Sequence, residues 1–566
     1  MSVKIRSRNI SCDIQNLVND YIPILLSVDV VNEKLALIHQ SLRKMLNGDY
    51  EKYVFDNEIN TNTIIETIMS DDEFQNTLSI LNEKQEIRKI LGIYYTPKDV
   101  ISFIINSCFY NIFDNLDKKP EETITTEQSF NFNNNGAIKN IIEKNVFDPT
   151  CGTGEFLLGA LKVKINILKN SIFYLSDEHY IKVLRTIHGN DINAESVEIT
   201  KIRLFFETIK HITDIDNYIK VAETLNNNIH NDDFLNPMPN RFIKYDIIIG
   251  NPPYVEDNKS KKHTDIKYGN IYANVIHKSI DLLKDGGILG FIIPISYIST
   301  PRMKKIRHFV EHETDTQIVL NYADRPDSLF TSVHQKLSIL FALKGKKKNK
   351  LFTSGYKYWY KSERDNLFKD NKIYSCGIIS DEFYPKIGNE LENNIFNKIY
   401  TNSLNNLYDL SIRNLDKNIY LNMRACFWIK AFTFNPGSSE YKTFGFKEEL
   451  YDFSMCLLNS SLFFWYWIAV SDCWHITAKE LKHFYLPKSI DNPSIYKKLS
   501  KKLEKKLEKT KRYIGTKQVE YEYKHRLCKD VIDQIDDNIS GIYKITNEEI
   551  NYIKNYALKY RTSKGV

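Results

Sequence analysis

A chain of 566 residues is too long for one hydrophobic core, so roughly two to four domains are expected. Hydrophobic residues make up 42% and aromatic residues 13%, enough to fill such cores, which excludes wholesale disorder. The net charge of +6 permits a nucleic-acid partner without demonstrating one. Cys12, Cys108, Cys151, Cys376, Cys426, Cys456, Cys473 and Cys528 are irregularly spaced and contain no C-x-x-C pair. That argues against a zinc module or a disulfide framework and fits a reducing cytoplasm, the expected location. The N-terminus carries charge from its fourth residue and has no apolar core, so a signal peptide is not expected.

In chain order, residues 1–90 place Leu17, Val18, Tyr21, Ile22, Leu25 and then Leu35, Leu37, Ile38, Leu42, Leu46 at helical spacing. This predicts a helical N-terminal region used for docking or scaffolding. Thr96 then reads as the cap of a helix with Pro97 in its first turn, continued by Val100, Ile101, Phe103, Ile104 and Ile105. The polar interval from Asp117 to Asn135 reads as a surface loop.

Val146-Phe147-Asp148 reads as the end of a strand, Pro149-Thr150-Cys151-Gly152-Thr153-Gly154 as a glycine turn, and Glu155-Phe156-Leu157-Leu158 as the start of a helix. Gly152 and Gly154 let backbone approach a ligand closely. The turn lacks the Lys-Ser/Thr pair of a triphosphate loop and the G-x-G-x-x-G of a dinucleotide site. A carboxylate at Asp148 repels phosphate but suits a ligand bearing an ammonium and a sulfonium. His188-Gly-Asn-Asp191-Ile192-Asn193 ends a second strand with an acid placed to accept from ribose hydroxyls. It lies about forty residues beyond the turn, where about twenty is usual. A long first helix and an insertion over Ser171–Tyr180 account for the excess. Asn231-Asp232-Asp233-Phe234-Leu235 supplies another acidic strand end.

Asp246-Ile-Ile-Ile-Gly250 then reads as a buried strand stopping at Asn251-Pro252-Pro253-Tyr254. Each proline fixes φ and holds the residue before it extended, so the tip presents the Asn251 amide and the Tyr254 ring in set directions. Past 345 the pattern changes, starting with the basic hinge Gly345-Lys-Lys-Lys-Asn-Lys350. Residues 351–490 mix short β-like and aromatic stretches. Met455–Val470, interrupted by Asn459, Ser460 and Ser461, is short of the roughly 20 apolar residues that span a membrane and reads as a buried helix. Phe463–Trp467 is read as core, and Ser471–His475 as polar enough to surface near DNA. Lys497–Arg512 reads as a charged helix with a solvated face, phosphate tracking being the alternative. Val531–Tyr556 reads as two small helices.

Taken together, Tyr94-Tyr-Thr-Pro97, Asp148–Phe156, Asp191, Asp233-Phe234, Asn251–Tyr254, Gly286–Pro294 and Leu329-Phe330 ahead of Leu337–Leu343 resemble the N6-adenine DNA methyltransferases of gamma motif order, the TaqI-like enzymes of restriction–modification systems. The resemblance covers roughly 90–345. It implies an α/β fold: a Rossmann-like, mixed, doubly wound S-adenosylmethionine-dependent methyltransferase sheet over 91–345. A helical region over 1–90 precedes it. An α+β target-recognition region over 346–490 and a helical region over 491–566 follow. By resemblance, Thr96, Asp148, Pro149, Cys151, Gly152 and Gly154 hold the methionine end of S-adenosylmethionine. Asp191 binds its ribose and Asp233 the adenine amino group, with Phe234 against the ring; Ile192 and Asn251 are further cofactor contacts. Asn251, Pro252, Pro253 and Tyr254 form the catalytic tip, with Tyr254 and Phe330 stacking on a flipped base. Ser332, Val333 and His334 lack the Pro or Gly often found after that phenylalanine. No metal is implied. The implied partners are double-stranded DNA and a cognate restriction endonuclease, with the enzyme acting as a monomer and no membrane involved.

Two enzyme readings stay open beside this one. One is methylation of another nitrogen: cytosine N4 in DNA, an RNA base, or a glutamine in a translation factor, the last a group in which Asn-Pro-Pro-Tyr also occurs, although Tyr-Tyr-Thr-Pro and the long C-terminal region weigh against it. A fused nuclease would need a Pro-Asp…D-x-K set, and the spacing from Pro326-Asp327 to Asp370–Lys372 is too loose for one. A DNA-binding module with a vestigial pocket is disfavoured by intact Asp148, Asp191, Asp233 and Asn251.

Overall fold

The protein is described from a computed structural model. It covers residues 96–562 except 115, 117–118, 126–139, 172–173, 215, 237–242, 258–266, 331–333, 346–348, 378–379, 401–404, 412–416, 488–489, 491 and 516–519. The helical region expected over 1–90 lies outside the described residues, as do Tyr94 and Tyr95.

Ten strands form one sheet in the order β1-β10-β9-β7-β8-β6-β5-β2-β3-β4. Five of them, β2 (Val146–Asp148), β3 (Ile187–Asp191), β4 (Ile229–Asn231), β5 (Tyr245–Gly250) and β6 (Leu283–Pro294), pair in parallel in the order β4-β3-β2-β5-β6. The chain runs outward from β2 to β4, then restarts at β5 on the other side of β2. The sheet therefore reverses direction between β2 and β5, the kind of crevice in which open α/β sheets bind ligands. Ile247, Ile248 and Ile249 are all buried, so both faces of β5 are covered, as its unbroken apolar run predicts.

Helix α1 (Lys98–Phe109) lies against β5, β6 and α2 (Glu155–Ser171). The interval between glycine turn and β3 holds α2 and then α3 (Asp177–Leu184), so the expected insertion leads into a second helix from Asp177. Next come α4 (Ala194–Ile209) and α5 (Asn217–Asn228), and later α6 (Ile271–Leu282) and α7 (Lys304–Glu313), which pack on β6 and β7 respectively.

Beyond β6 the sheet becomes mixed. Strand β8 (Leu337–Lys344) is antiparallel to both β6 and β7 (Thr314–Tyr322), whereas β9 (Lys350–Lys357) is parallel to β7. Strand β10 (Asp370–Ser375) and then β1 (Glu121–Thr125) complete the edge in antiparallel register. Two corrections follow. The interval 117–135 is not wholly loop, because Glu121–Thr125 forms an edge strand. Only Ile124 among the core-facing residues of β1 is apolar and buried, which leaves too little periodicity to see in sequence. The sheet also runs past 345 into β9 and β10, so the 91–345 and 346–490 segments share it. Asp370 and Lys372 are ladder residues of β10, opposite Thr125 and Thr123.

The C-terminal part adds α8 (Glu390–Tyr400), a small sheet of β11 (Asn418–Asn422) between β12 (Ala431–Phe432) and β13 (Tyr441–Gly445), and helices α9 (Glu448–Leu458) and α10 (Ser461–Val470). It ends with α11 (Pro493–Thr510), α12 (Lys529–Ile542) and α13 (Asn547–Asn555). One continuous apolar cluster runs from Val100 to Ile553. All ten residues of α10 are buried, so Phe463–Trp467 is core. Among the described residues no single helix is long and apolar enough to cross a membrane; α9 and α10 together reach the required length but are bent by 70°.

Asp536 of α12 caps α10 from outside: its Oδ1 accepts from Ser461 N (2.9 Å) and Leu462 N (3.4 Å). Burial pushes its carboxyl up to about 7. At pH 6 the group is mostly neutral, so replacing it relieves little charge burial while orphaning two backbone donors. Asp536→Ala at pH 6 is expected to cost about 1–2 kcal/mol in urea unfolding. An unchanged midpoint would show that α10 is held by packing alone.

Candidate active site

The crevice between β2 and β5 is bounded by Asp148 on one strand end and Gly250-Asn251 on the other. The two ends nearly touch. A Cβ on Gly250, whose φ is +155°, would fall 2.7 Å from Asp148 Oδ1, so a side chain there would displace the carboxylate. Asp148 is 1% exposed and its Oδ1 accepts from Thr150 N at 3.0 Å. Burial drives its carboxyl well above the usual carboxylate range; the Thr150 N–H opposes this, and nearby Asp191 adds to it.

The glycine turn is held on three sides. Cys151 N donates to Asn190 O (2.9 Å), and Gly152 N to Asp191 Oδ2 (2.8 Å). Thr200 and Arg203 of α4 reach back, Thr200 Oγ1 to Gly152 O (2.8 Å) and Arg203 Nη1 to Thr153 O (2.6 Å). Arg203 also pairs with Glu155 at 2.8 Å. Gly154, at φ +84°, lies so close to α4 that a Cβ would be 2.8 Å from Thr200 Cγ2. Gly152 is the opposite case: a Cβ there would meet nothing within 4 Å, so open space lies beside the backbone at this corner. Burial raises the Cys151 thiol well above its usual range, and Asp191 and Asp148 raise it further, so it stays protonated and is no nucleophile.

Asp191 is oriented by two backbone donors, Gly152 N on Oδ2 and Asn193 N (2.8 Å) on Oδ1. Ile192 beside it is 57% exposed, an apolar face open to solvent at the mouth of the site. Asp233 Oδ1 accepts from Leu235 N at 3.1 Å and fixes its turn. Phe234 is 4% exposed, tilted against Phe147 at 5.9 Å, with Lys278 Nζ 5.3 Å over its ring. Asn190 joins these turns, its Nδ2 donating to Pro149 O (3.2 Å) and Asp232 O (2.9 Å). Sequence reasoning missed Asn190, Thr200 and Arg203. The signal for each is a polar residue inside an apolar strand or helix face, where it must find backbone partners.

Thr96 is buried, and its hydroxyl accepts from Asn251 Nδ2 at 3.1 Å. It is not the expected helix cap: Pro97 occupies that position, without a side-chain capping bond. The bond fixes the Asn251 amide plane and directs Oδ1 away from Thr96. Pro252 is buried, and Pro253 and Tyr254 are half-buried. Tyr254 OH donates to Ile292 O of β6 (2.9 Å), and its ring meets Tyr272 edge-on at 6.3 Å. Phe330 stands apart, 1% exposed within the core. Arg364 donates to Ser328 O (3.2 Å) and Leu329 O (2.9 Å) just before it and pairs with Asp99 of α1 at 2.8 Å. Asp99 lies three residues past Thr96, so Arg364 links the Phe330 turn to the segment that holds Asn251. No group of three or more His, Cys, Asp or Glu is placed to hold a metal among the described residues.

A parallel sheet reversing at β2/β5, with a glycine turn and an acid on the next strand, defines a Rossmann-like fold of the S-adenosylmethionine-dependent methyltransferase type. Comparison with known proteins agrees: residues 185–326, from the approach to β3 through β7, match the family model described as Eco57I restriction-modification methylase. That segment contains Asp191, Asp233 and the Asn251–Tyr254 tip. The Type II methyltransferase M.CvrRI of Paramecium bursaria Chlorella virus XZ-6E is 30% identical over 160 residues, 28% of this chain and 31% of that protein. The Type II restriction enzyme and methyltransferase RM.Eco57I of Escherichia coli is 26% identical over 216 residues, 30% of this chain and 22% of that protein. The matched stretches span 14% to 40% of the lengths of the curated relatives. Among solved structures, the Type IIL restriction-modification enzyme MmeI, in complex with DNA, has the same fold. The TM-score is 0.50 at 12% identity, covering 87% of this chain and 82% of that one.

The buried Asp148 carboxylate carries a stability cost with a defined sign. Its folded pKa is raised, so its contribution favours folding below the unfolded value near 4 and is lost as pH rises through the folded value. Asp148→Asn, which keeps the Thr150 contact, is expected to melt above the wild type at pH 8, with the gap closing as pH falls toward 4. Parallel melting curves across that range would refute the assignment.

Proposed function

We infer that this chain is the methyltransferase of a restriction–modification system, moving a methyl group from S-adenosylmethionine to the N6 amine of an adenine turned out of double-stranded DNA. The observation that carries this reading is the Asn251 amide, clamped by Thr96 at the tip of β5 and set beside the buried carboxylate that ends β2. The donor set suits the cofactor. Asp148 lies where an ammonium or sulfonium would be stabilised, Asp191 is oriented for ribose hydroxyls, Ile192 offers an apolar face to adenine, and open space lies beside Gly152. When bound, S-adenosylmethionine supplies an electrophilic methyl on sulfur.

The chain's own residues then do the positioning. The amine of adenine is a poor nucleophile because its lone pair is delocalised into the ring. Asn251 Oδ1 and the Pro252 carbonyl each accept one of its N–H bonds, which favours a pyramidal nitrogen and stabilises the positive charge that develops on it. Tyr254, braced through its hydroxyl on β6, presents its ring to the extruded base and offsets part of the unstacking cost. The Phe330 ring, packed in the core, contributes to a second wall only if the turn before it opens. The expected partners are duplex DNA and a cognate endonuclease.

Asn251→Ala is expected to abolish transfer of labelled methyl to DNA while leaving S-adenosylmethionine binding by calorimetry within a few fold. Near-wild-type turnover would sink the assignment. Thr96→Val, which frees the amide to rotate, should lower kcat for methyl transfer to DNA by about tenfold. Mass spectrometry of the product nucleosides separates N6-methyladenine from N4-methylcytosine, and labelled protein or RNA in place of DNA would overturn the substrate class.

A further inference from the structure

Helix α11 (Pro493–Thr510) has two unlike faces. Tyr496, Leu499, Leu503 and Leu507 are buried against the body, chiefly α9 and α12. Lys498, Lys501, Lys505 and Lys509 are exposed on the opposite face. At 100° per residue these four lie within about an 80° arc, spread over about 16 Å of helix axis. Consecutive members are about 4.5–6 Å apart along the axis.

The neighbouring lysines show what this region does with a cation that has a structural role. Lys506 pairs with Asp530, Lys529 with Asp533, Lys554 with Asp537, and Lys511 with Glu508. Lys502 bonds Gln534. The four outer lysines form no ion pair or side-chain hydrogen bond among the described residues. Glu504, the acid that could neutralise them, turns aside to accept from Thr433 N (2.8 Å) and Oγ1 (2.6 Å). A row of like charges with no counter-ion raises the self-repulsion of the helix, a cost that a polyanion removes. Just past the helix, a short hairpin of Arg512–Tyr513 and Tyr521–Glu522 holds Tyr513 66% exposed and Ile514 42% exposed at the end of the row.

We propose that Lys498, Lys501, Lys505 and Lys509 form a phosphate track that holds one strand of duplex DNA outside the methyl-transfer crevice, with Tyr513 and Ile514 abutting the duplex at its far end. This rests on the reading of the chain as a DNA methyltransferase and adds a second contact surface to it. Duplex DNA fits better than a membrane. A helix that lies on lipid needs an exposed apolar face, and the apolar face of α11 is already buried in the protein. The row spans about 5 base pairs at 3.4 Å each.

The test uses the full chain, no cofactor, and a fluorescent duplex of arbitrary sequence titrated between 50 and 200 mM salt. The quadruple change Lys498→Gln, Lys501→Gln, Lys505→Gln and Lys509→Gln should make the slope of log K against log salt shallower by about 3.6. Over that range the wild type should lose about 150-fold more affinity than the variant. Lys506→Gln with Lys529→Gln serves as the control, because these lysines are already paired, and should leave the slope nearly unchanged. Circular dichroism checks that both variants fold, since Gln is nearly as good a helix former as Lys. An unchanged slope in the quadruple variant overturns the proposal, as does an equal shift in the control. Binding to phosphatidylglycerol vesicles in preference to duplex, lost with the same four lysines, overturns it too. The readout needs no methyl transfer, so an enzyme that bound DNA this way but methylated something else would sink the function and spare the track.

Discussion

Everything in the crevice depends on how closely Asp148 and Gly250 pass each other at the ends of β2 and β5. The parallel ladder fixes the two strands, and the missing side chain at Gly250 lets the tip continue past a carboxylate rather than bend around it. From that passage the Asn-Pro-Pro-Tyr tip emerges in one direction, and the two prolines keep it there. A buried carboxylate is an unfavourable thing to build, and here burial is the main cause that drives its carboxyl above the usual range. Such a residue is what a positively charged ligand would repay, so stability and function pull in opposite directions at a single oxygen pair.

The rest of the site is held largely by side chains that bond to main chain, with the Arg203–Glu155 and Arg364–Asp99 ion pairs added. Asn190 ties Pro149 to Asp232, Thr200 and Arg203 tie the glycine turn to α4, and Arg364 ties the Phe330 turn to α1. This arrangement fixes the turns in place through their backbone. Loops locked in this way act as rigid parts of the scaffold, which is the condition for positioning a reacting amine to a fraction of an ångström.

Much of this was legible in the residues. The three isoleucines before Gly250, the Asp-Pro-Thr-Cys-Gly-Thr-Gly turn and the acid after His188-Gly-Asn marked three strand ends in the right order, because buried parallel strands are short apolar runs and their ends are where polarity changes. Strand β1 was hidden, since an edge strand buries a single face and its Glu and Thr residues look like loop. Thr96 had the identity and position of a cap, but its partner is 155 residues away and no local rule points to it. The continuation of the sheet through β9 and β10 was obscured by the lysine-rich stretch at 345–350, whose composition resembles a domain linker although β8 ends at Lys344 and β9 begins at Lys350 in the same sheet. Phe330 was placed by its motif, and a motif carries no information about what packs over a ring.

The pairing of Asp99 with Arg364 closes the catalytic body across 265 residues. During synthesis, every recognisable motif of the crevice leaves the ribosome before its last fastening does. A nascent chain halted after β8 already holds the ligand-facing groups and the strands on which α1 packs, and lacks the ion pair at the N-terminal turn of that helix. The order of the segments along the chain therefore places the last contact of the α1 N-terminus after every motif of the crevice.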